Sequence, residues 1–407
     1  MTTHSRKRGP ATAAELGLMQ GAPPPGARQV TLASWQEGPH NRWAFQHVGE
    51  LVPSAPIRRG EGPVLPLPAA PQELGETPLG GVSCAATLDE FLQETYTDGF
   101  LVLRDGRVLY ERYLNGMHAG SLHLLQSVSK SFCGALTGAL VEHGLVDPAA
   151  TARTYVPELW ESAFGDATVG QLLDMTASVV FREEYADPAS EVQAQDRAAG
   201  WRPKRPHDPD NSYEFLRSLR SDGPHGRVFQ YCSASTDALA WVLERATGRR
   251  YTDLLSDVLW SRIGAEHDAS MTVDTAGFAF ANGGLSVTLR DLARFGHLML
   301  NGGGVDGFRA APADWVTRPR ETGDPSVMNG SDFATAYPAG SYSTKWWSTG
   351  LADGTFYGTG IYGQFLWIVP AASLVIVKLS SLPRALDPLV VRDHHVAFRS
   401  LVAALGS

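Results

Sequence analysis

Lysine is scarce in this chain. Of 34 basic residues only Lys7, Lys130, Lys204, Lys345 and Lys378 are lysines. Codon bias is the plain reading of that, yet so few lysines make each one worth inspecting singly. No basic run exceeds Arg6-Lys7-Arg8, and 43 acidic residues bring the formal net charge to −9. A nucleic-acid binder or a protein drawn to an anionic membrane surface is thereby disfavoured. Cysteine is equally sparse. Cys84, Cys133 and Cys232 are odd in number and widely spaced, with no Cys-x-x-Cys, so neither a disulfide framework nor a zinc site is implied. No apolar run approaches the roughly 20 residues of a membrane-spanning helix. The opening MTTHSRKRGPATAAELGLMQ has no continuous apolar stretch of the secretory kind, and a cytoplasmic protein is expected. Also missing are a Gly-x-Ser-x-Gly elbow, a His-Glu-x-x-His zinc helix and a phosphate-binding Gly-x-x-x-x-Gly-Lys. The histidines show no metal-ligand spacing. His394 and His395 are adjacent, about 100° apart on a helix, which suits surface or packing roles.

What is present describes an ordinary globular chain. The 407 residues, 43% hydrophobic and 19% charged, suffice for one large domain or two modest ones with a packed core. Residues 1–30, rich in Ala, Gly and Pro, read as a flexible lead-in, and 52–78 as an extended arm lying on a domain. Between them, SWQEGPHNRWAF offers Trp35, Trp43 and Phe45 to dock the arm on something apolar. Strands 100–103 and 108–113 flank Arg104-Asp105-Gly106-Arg107, and Asp-Gly is a strong hairpin-turn signal. A small-residue helix is expected over 127–143, with further helical segments at 169–176, 212–219, 235–247 and 252–263. Thr288-Leu-Arg-Asp291 opens another helix in capping-box style, running to about Leu300. Strands return at 344–348, 364–369 and 373–379, and a last helix covers 391–405. Strands at both ends with helices between imply an α/β sheet domain interrupted by a mostly helical insertion. Gly358-Thr-Gly360-Ile-Tyr-Gly363 spells G-x-G-x-x-G, but a strand pattern (QFLWIVP) follows where a dinucleotide site needs a helix, so that site is rejected.

The informative motif is Ser127-Val-Ser-Lys130, the sole Ser-x-x-Lys in the chain. Residues i and i+3 share a helix face, so the amine can lie beside the hydroxyl. A desolvated lysine of lowered pKa can then act as the base of a serine nucleophile. Alone, such a tetrapeptide is expected about once by chance in a chain of this length. Two further pieces follow in order: Tyr231-Cys-Ser233, whose phenol can relay protons, and Gly358-Thr-Gly360-Ile361 ahead of a strand. Ser-x-x-Lys, Tyr-x-Ser and x-Thr-Gly in this sequence form the layout of serine β-lactamases and penicillin-binding proteins.

Longer runs carry the resemblance further. SWQEGPHNRWAF, HLLQSVSKSFCG, DPASEVQAQDRAAGWR, FQYCSASTDALAW, TVDTAGFAFANGG and WIVPAASLVIVKLSS resemble the 6-aminohexanoate-dimer hydrolase (nylon-oligomer hydrolase) family, over about Trp35 to Ser381. The resemblance implies the serine β-lactamase-like α/β (α+β) fold, an antiparallel sheet flanked by helices with a helical insertion. It suggests an arm over 1–95, a sheet domain from 96–126 and 283–407, and a helical domain over 127–282 with the site between them. It implies an amidase acting on short ω-amino acid oligomers through an acyl-enzyme, with no cofactor or metal. The alternative is a promiscuous carboxylesterase of the same family; a different class again is a catalytically dead binding protein on the same fold. Matched residue by residue, Ser127 becomes the nucleophile, Lys130 its base and Tyr231 the proton relay. The backbone N–H groups of Ser127 and Ile361 become the oxyanion hole. Asp196 matches the residue that holds the substrate ammonium, Tyr185 the one that touches the scissile amide, and Asn282 another pocket position. Read singly, Asp196 is equally a solvated helix charge, Tyr185 a packed loop aromatic and Asn282 a turn residue before Gly283-Gly284. Two positions depart from the patterns. Gly358 stands where lactamases and penicillin-binding proteins carry Lys or His, which weakens a lactamase reading, and Tyr362 replaces the family's His. A small-molecule substrate is the expected partner, and a homodimer is left open.

Overall fold

The computed structural model describes residues 9–406 except Thr322 and Asn329. Its strands are β1 (Ser54–Ile57), β2 (Thr97–Arg104), β3 (Arg107–Tyr113), β4 (His123–Leu124), β5 (Ala269–Thr272), β6 (Leu285–Val287), β7 (Gly304–Val305), β8 (Phe308–Arg309), β9 (Ser341–Ser343), β10 (Trp346–Ser348), β11 (Phe356–Gly360), β12 (Gln364–Val369) and β13 (Leu374–Ser380). The main sheet runs β3-β2-β13-β12-β11-β10-β9 with every neighbouring pair antiparallel. A smaller sheet, β1-β5-β6-β4, leads into the Ser127 turn.

The central strands are buried on both faces, which explains their unbroken apolar sequence. On β13, Leu374 and Ile376 meet Trp367, Phe398 and Leu401, while Val375, Val377 and Leu379 face the larger core. This alternation follows the two-residue period of a strand. The helix Pro388–Gly406 covers the first face, and the helix Leu289–Leu300 packs against β12 and β13 on the second. Helix Ser129–Glu142 lies against helix Ser233–Thr247 in that larger core.

Much of the local reading is met. Asp105 and Gly106 take the positive-φ turn of the β2–β3 hairpin, as Asp-Gly predicts. Thr288 accepts from the Asp291 N–H at 3.1 Å and caps its helix. A strand does follow Gly363. His394 is a packing residue, stacked on Phe365 at 4.8 Å.

Other expectations are corrected. Residues 1–8 of the lead-in lie outside the described residues, but 9–30 are anchored at both ends of a mostly exposed stretch over 20–28. Leu18 and Val30 are buried, and the Ala13 N–H donates to Asn115 Oδ1 at 2.7 Å. Residues 344–348 are not one strand. Thr344 and Lys345, both at positive φ, form the turn of a β9–β10 hairpin. The segment 227–230, which leads into Tyr231, is a loop held by Phe229 N–H to Val327 and Gln230 N–H to Met175. The 252–263 helix is a series of short turns of changing pitch. Strand β11 was hidden by its glycines, and the helices Glu191–Ala198 and Ala313–Glu321 by their polar composition.

The arm is anchored by both apolar and polar contacts. Trp35 is 1% exposed, sits edge-on to Trp201 and donates its indole N–H to the Trp201 carbonyl at 2.7 Å. Arg42 enters a buried cluster in which Asp98 accepts from Arg42 (2.9 Å), Asn115 (2.9 Å) and Ser381 (2.6 Å) and meets His123 at 3.0 Å. These contacts tie the arm to β2, to β4 and to the segment after β13. Such a cluster holds register, because losing one partner would strand a buried charge.

Candidate active site

The site forms where β4, the start of helix Ser129–Glu142 and the β11–β12 turn converge. After β4 the chain turns sharply at Gln126, whose φ is +49°, and residues 126–128 make a single 3-10 turn. The α-helix therefore begins at Ser129, later than its sequence suggests. Ser127 keeps its i,i+3 relation to Lys130. Lys130 Nζ donates to Ser127 Oγ at 2.7 Å and to the Asn282 carbonyl at 2.8 Å. Lys130 is 1% exposed, and burial lowers its pKa to about 8 against the opposing charges of Glu183 and Asp237.

Tyr231 stands over this pair. Lys130 Nζ is 5.2 Å from its ring centroid, and Ser127 is among the groups that act on its phenol. Burial, then the Glu183 charge, raises its phenol above the ordinary range. Trp347 stacks on the ring at 5.9 Å. Ser233 opens helix Ser233–Thr247, donating its N–H (3.1 Å) and Oγ–H (2.5 Å) to Glu183. Tyr185 donates its hydroxyl to the same carboxylate at 2.7 Å.

The β11–β12 turn is pressed against the Ser127 backbone. A Cβ on Gly360 would lie 2.6 Å from the Leu125 carbonyl oxygen and 3.0 Å from Ser127 N, so only glycine permits this approach. Gln364 fixes the turn, donating to the Ile361 (3.3 Å), Tyr362 (3.2 Å) and Ser380 (2.6 Å) carbonyls. The N–H groups of Ser127 and Ile361 donate to no acceptor among the described residues. Tyr362 is buried against Phe45, 5.1 Å between rings. At Gly358 a Cβ would meet Ser131 Oγ at 2.9 Å, so the lactamase Lys or His has no room without moving Ser131.

The three remaining sequence candidates are near but already engaged. Asp196 accepts from Arg202 Nε (2.9 Å) and Gln36 (3.3 Å), both on Oδ2. Its Oδ1 has no partner among the described residues. Burial raises its pKa, and Arg202 opposes that rise. Asn282 gives its N–H (3.0 Å) and Nδ2 (2.8 Å) to Asp237, so its carbonyl, not its amide, serves Lys130. Sequence reasoning missed Glu183, Asp237 and Gln364, which carry no motif. Two more of the five lysines, Lys345 and Lys378, are fully buried, and burial lowers each pKa to about 7.

Comparison with known proteins shows the family. The Beta-lactamase family model matches residues 84–399. The chain is 49% identical over 361 residues to the 6-aminohexanoate-dimer hydrolase of Paenarthrobacter ureafaciens, covering 88% of this chain and 89% of that one. A Bacillus anthracis structure provisionally named 6-aminohexanoate-dimer hydrolase superposes with a TM-score of 0.86 at 30% identity, over 94% of this chain and 98% of the other. A family VIII carboxylesterase shares the fold at 17% identity and a TM-score of 0.56, over 75% and 93%. No helix among the described residues is long and apolar enough to cross a membrane.

Proposed function

The chain belongs to the beta-lactamase family, and on that premise we propose that it is a serine hydrolase cleaving the amide bond of linear 6-aminohexanoate dimer and similar short ω-amino acid oligomers. The observation that carries this reading is the Ser127–Lys130 contact at 2.7 Å in a buried site, in a chain half identical to a dimer hydrolase. With a pKa of about 8, Lys130 is neutral in part near neutral pH. The neutral amine takes the proton of Ser127 as Oγ attacks the carbonyl carbon. The N–H groups of Ser127 and Ile361 stabilise the resulting oxyanion. Tyr231, its phenol kept protonated by burial, donates to the departing nitrogen, since an amine does not leave as an anion. Water then attacks the acyl-enzyme by the reverse path. Asp196 receives the substrate's ammonium on Oδ1, leaving Oδ2 to Arg202. Tyr185 lines the scissile amide, and the protein acts as a cytoplasmic enzyme. An activated ester asks less of Tyr231, so short-chain esters should be side substrates.

The test is direct. Purified protein should hydrolyse both the dimer and p-nitrophenyl butyrate, and Ser127→Ala should abolish both while circular dichroism stays unchanged. Residual turnover above a trace in a folded Ser127→Ala variant removes the nucleophile assignment.

A further inference from the structure

Lys130 is buried, yet its hydrogen-bond acceptors are neutral: a hydroxyl and a backbone carbonyl. No carboxylate forms an ion pair with it among the described residues, although two act on its charge from a layer further out. Glu183 holds Ser233 through both N–H and Oγ–H and also takes the Tyr185 hydroxyl. Asp237, fully buried on helix Ser233–Thr247, clamps Asn282 at N–H and Nδ2 and takes a third bond from Gln195 Nε2 at 2.6 Å. That clamp aims the Asn282 carbonyl at Lys130 Nζ. We propose that Glu183 and Asp237 are positioning residues for the lysine base, fixing where its proton points and how readily it leaves. The proposal rests on reading Lys130 as the base of Ser127.

The arrangement has a physical rationale. A carboxylate in direct contact would favour the ammonium strongly and deny Ser127 a base. Burial with no nearby anion would drive the lysine so far down that it accepts a proton poorly. Asp237, one polar layer away through Asn282, and Glu183 oppose burial without locking the proton in place, although burial raises both carboxyls and Asp237 is largely ionised only above about pH 7. Other groups that face Lys130 cannot supply this balance. Burial raises the Cys133 and Cys232 thiols to about 12, so they are neutral, and the Tyr231 phenol is likewise neutral. Lys345 gains charge only below about pH 7, where it opposes the Lys130 ammonium. The further groups near the two carboxylates are Tyr231, Cys232 and Tyr342 beside Glu183, and Cys133 and Tyr251 beside Asp237. All are uncharged at neutral pH.

The scarcity of lysine makes a direct test practical. Protein labelled at lysine Cε contains only five such sites, and the resonance lost in Lys130→Ala identifies the one of interest. Its NMR titration should have a lower midpoint in Glu183→Gln and in Asp237→Asn than in the parent. In parallel, kcat/KM for p-nitrophenyl butyrate, whose substrate does not titrate, should keep its acid limb to lower pH in both variants. Below the parent's limb, the retained fraction of plateau activity should rise about three- to tenfold, corresponding to roughly half to one pH unit. Asp237→Asn is suited to folding: Gln195 Oε1 is buried without a partner, and amide flips of Gln195 and Asn282 would satisfy the new NH2. An unmoved Lys130 midpoint in folded variants, whatever their plateau rates, overturns the proposal and leaves the two residues as scaffold. A midpoint that moves upward overturns it equally. Full activity of Lys130→Ala would instead remove the reading of Lys130 as base, a result the titration of Lys130 does not depend on.

Discussion

A carboxylate meant for a substrate's ammonium must be dry enough to attract it and still keep its own charge. Asp196 is 8% exposed, and burial alone pushes its carboxyl toward protonation. Arg202 opposes that shift through one oxygen and leaves the other open. A charge-assisted contact contributes about 1.5–3 kcal/mol, and about 1.4 kcal/mol is a factor of ten. Asp196→Asn should therefore lower kcat/KM for the dimer roughly ten- to a hundredfold and leave butyrate ester hydrolysis nearly unchanged. Measuring both substrates on the one variant checks this, and an unaltered ratio removes Asp196 from the site. Motifs named Ser127, Lys130 and Tyr231 because each stands in a short local pattern, Ser-x-x-Lys or Tyr-x-Ser. They were silent on Glu183 and Asp237, whose partners Ser233 and Asn282 lie 50 and 45 residues away in the chain.

Two backbone turns do at the level of elements what no single side chain does. The positive-φ turn at Gln126 presents Ser127 at the head of its helix, and the β11–β12 turn brings Ile361 alongside. Their meeting depends on the missing side chain of Gly360. In Gly360→Ala the new methyl meets Leu125 O, Gln126 Cβ and Ser127 N, two of them backbone atoms, so the strand end must retreat. Overpacking of this kind costs about 1–3 kcal/mol. The expected outcome is a lower melting temperature together with a kcat reduced at least about tenfold for amide and ester alike, with KM little altered. Steady-state kinetics on both substrates and thermal unfolding check it. A loss confined to the amide would place the defect at the leaving group rather than at the oxyanion. The x-Thr-Gly motif was legible in sequence as a pattern of the superfamily. That its last glycine touches the Ser127 backbone was not, because the contact joins segments 233 residues apart.

At the scale of the whole molecule, the sheet is buried on both faces and takes a lysine with it. Lys378 on β13 is fully buried, bonded to the Thr95 carbonyl and Ser380 Oγ, with a pKa lowered to about 7 by burial and only partly restored by Asp98. The unfolded chain, with an ordinary lysine, binds a proton between about pH 7 and 10.5 that the native state does not. Stability therefore rises with pH across that window and flattens below it, by up to about 1.4 kcal/mol per pH unit for one such group. Lys345 acts with the same sign. Lys378→Met should show a shallower rise, which urea unfolding at several values from pH 7 to 10 would measure. Identical slopes in both proteins would mean that Lys378 stays protonated in the folded state.

By itself the sequence determined the hairpin at Asp105-Gly106, the capped helix after Thr288, the strands around Pro370 and the three motifs. Each of these depends on residues a few places apart, where turn chemistry, capping and helical spacing act directly. Only the tertiary structure decided that Leu18 and Val30 anchor the lead-in and that Thr344-Lys345 is a turn. It alone decided that Asp196 is shared with Arg202, and that the Asn282 amide belongs to Asp237 while its carbonyl faces Lys130. Those outcomes depend on which distant segments come to share a buried space, and there burial sets the cost of every unpaired polar group.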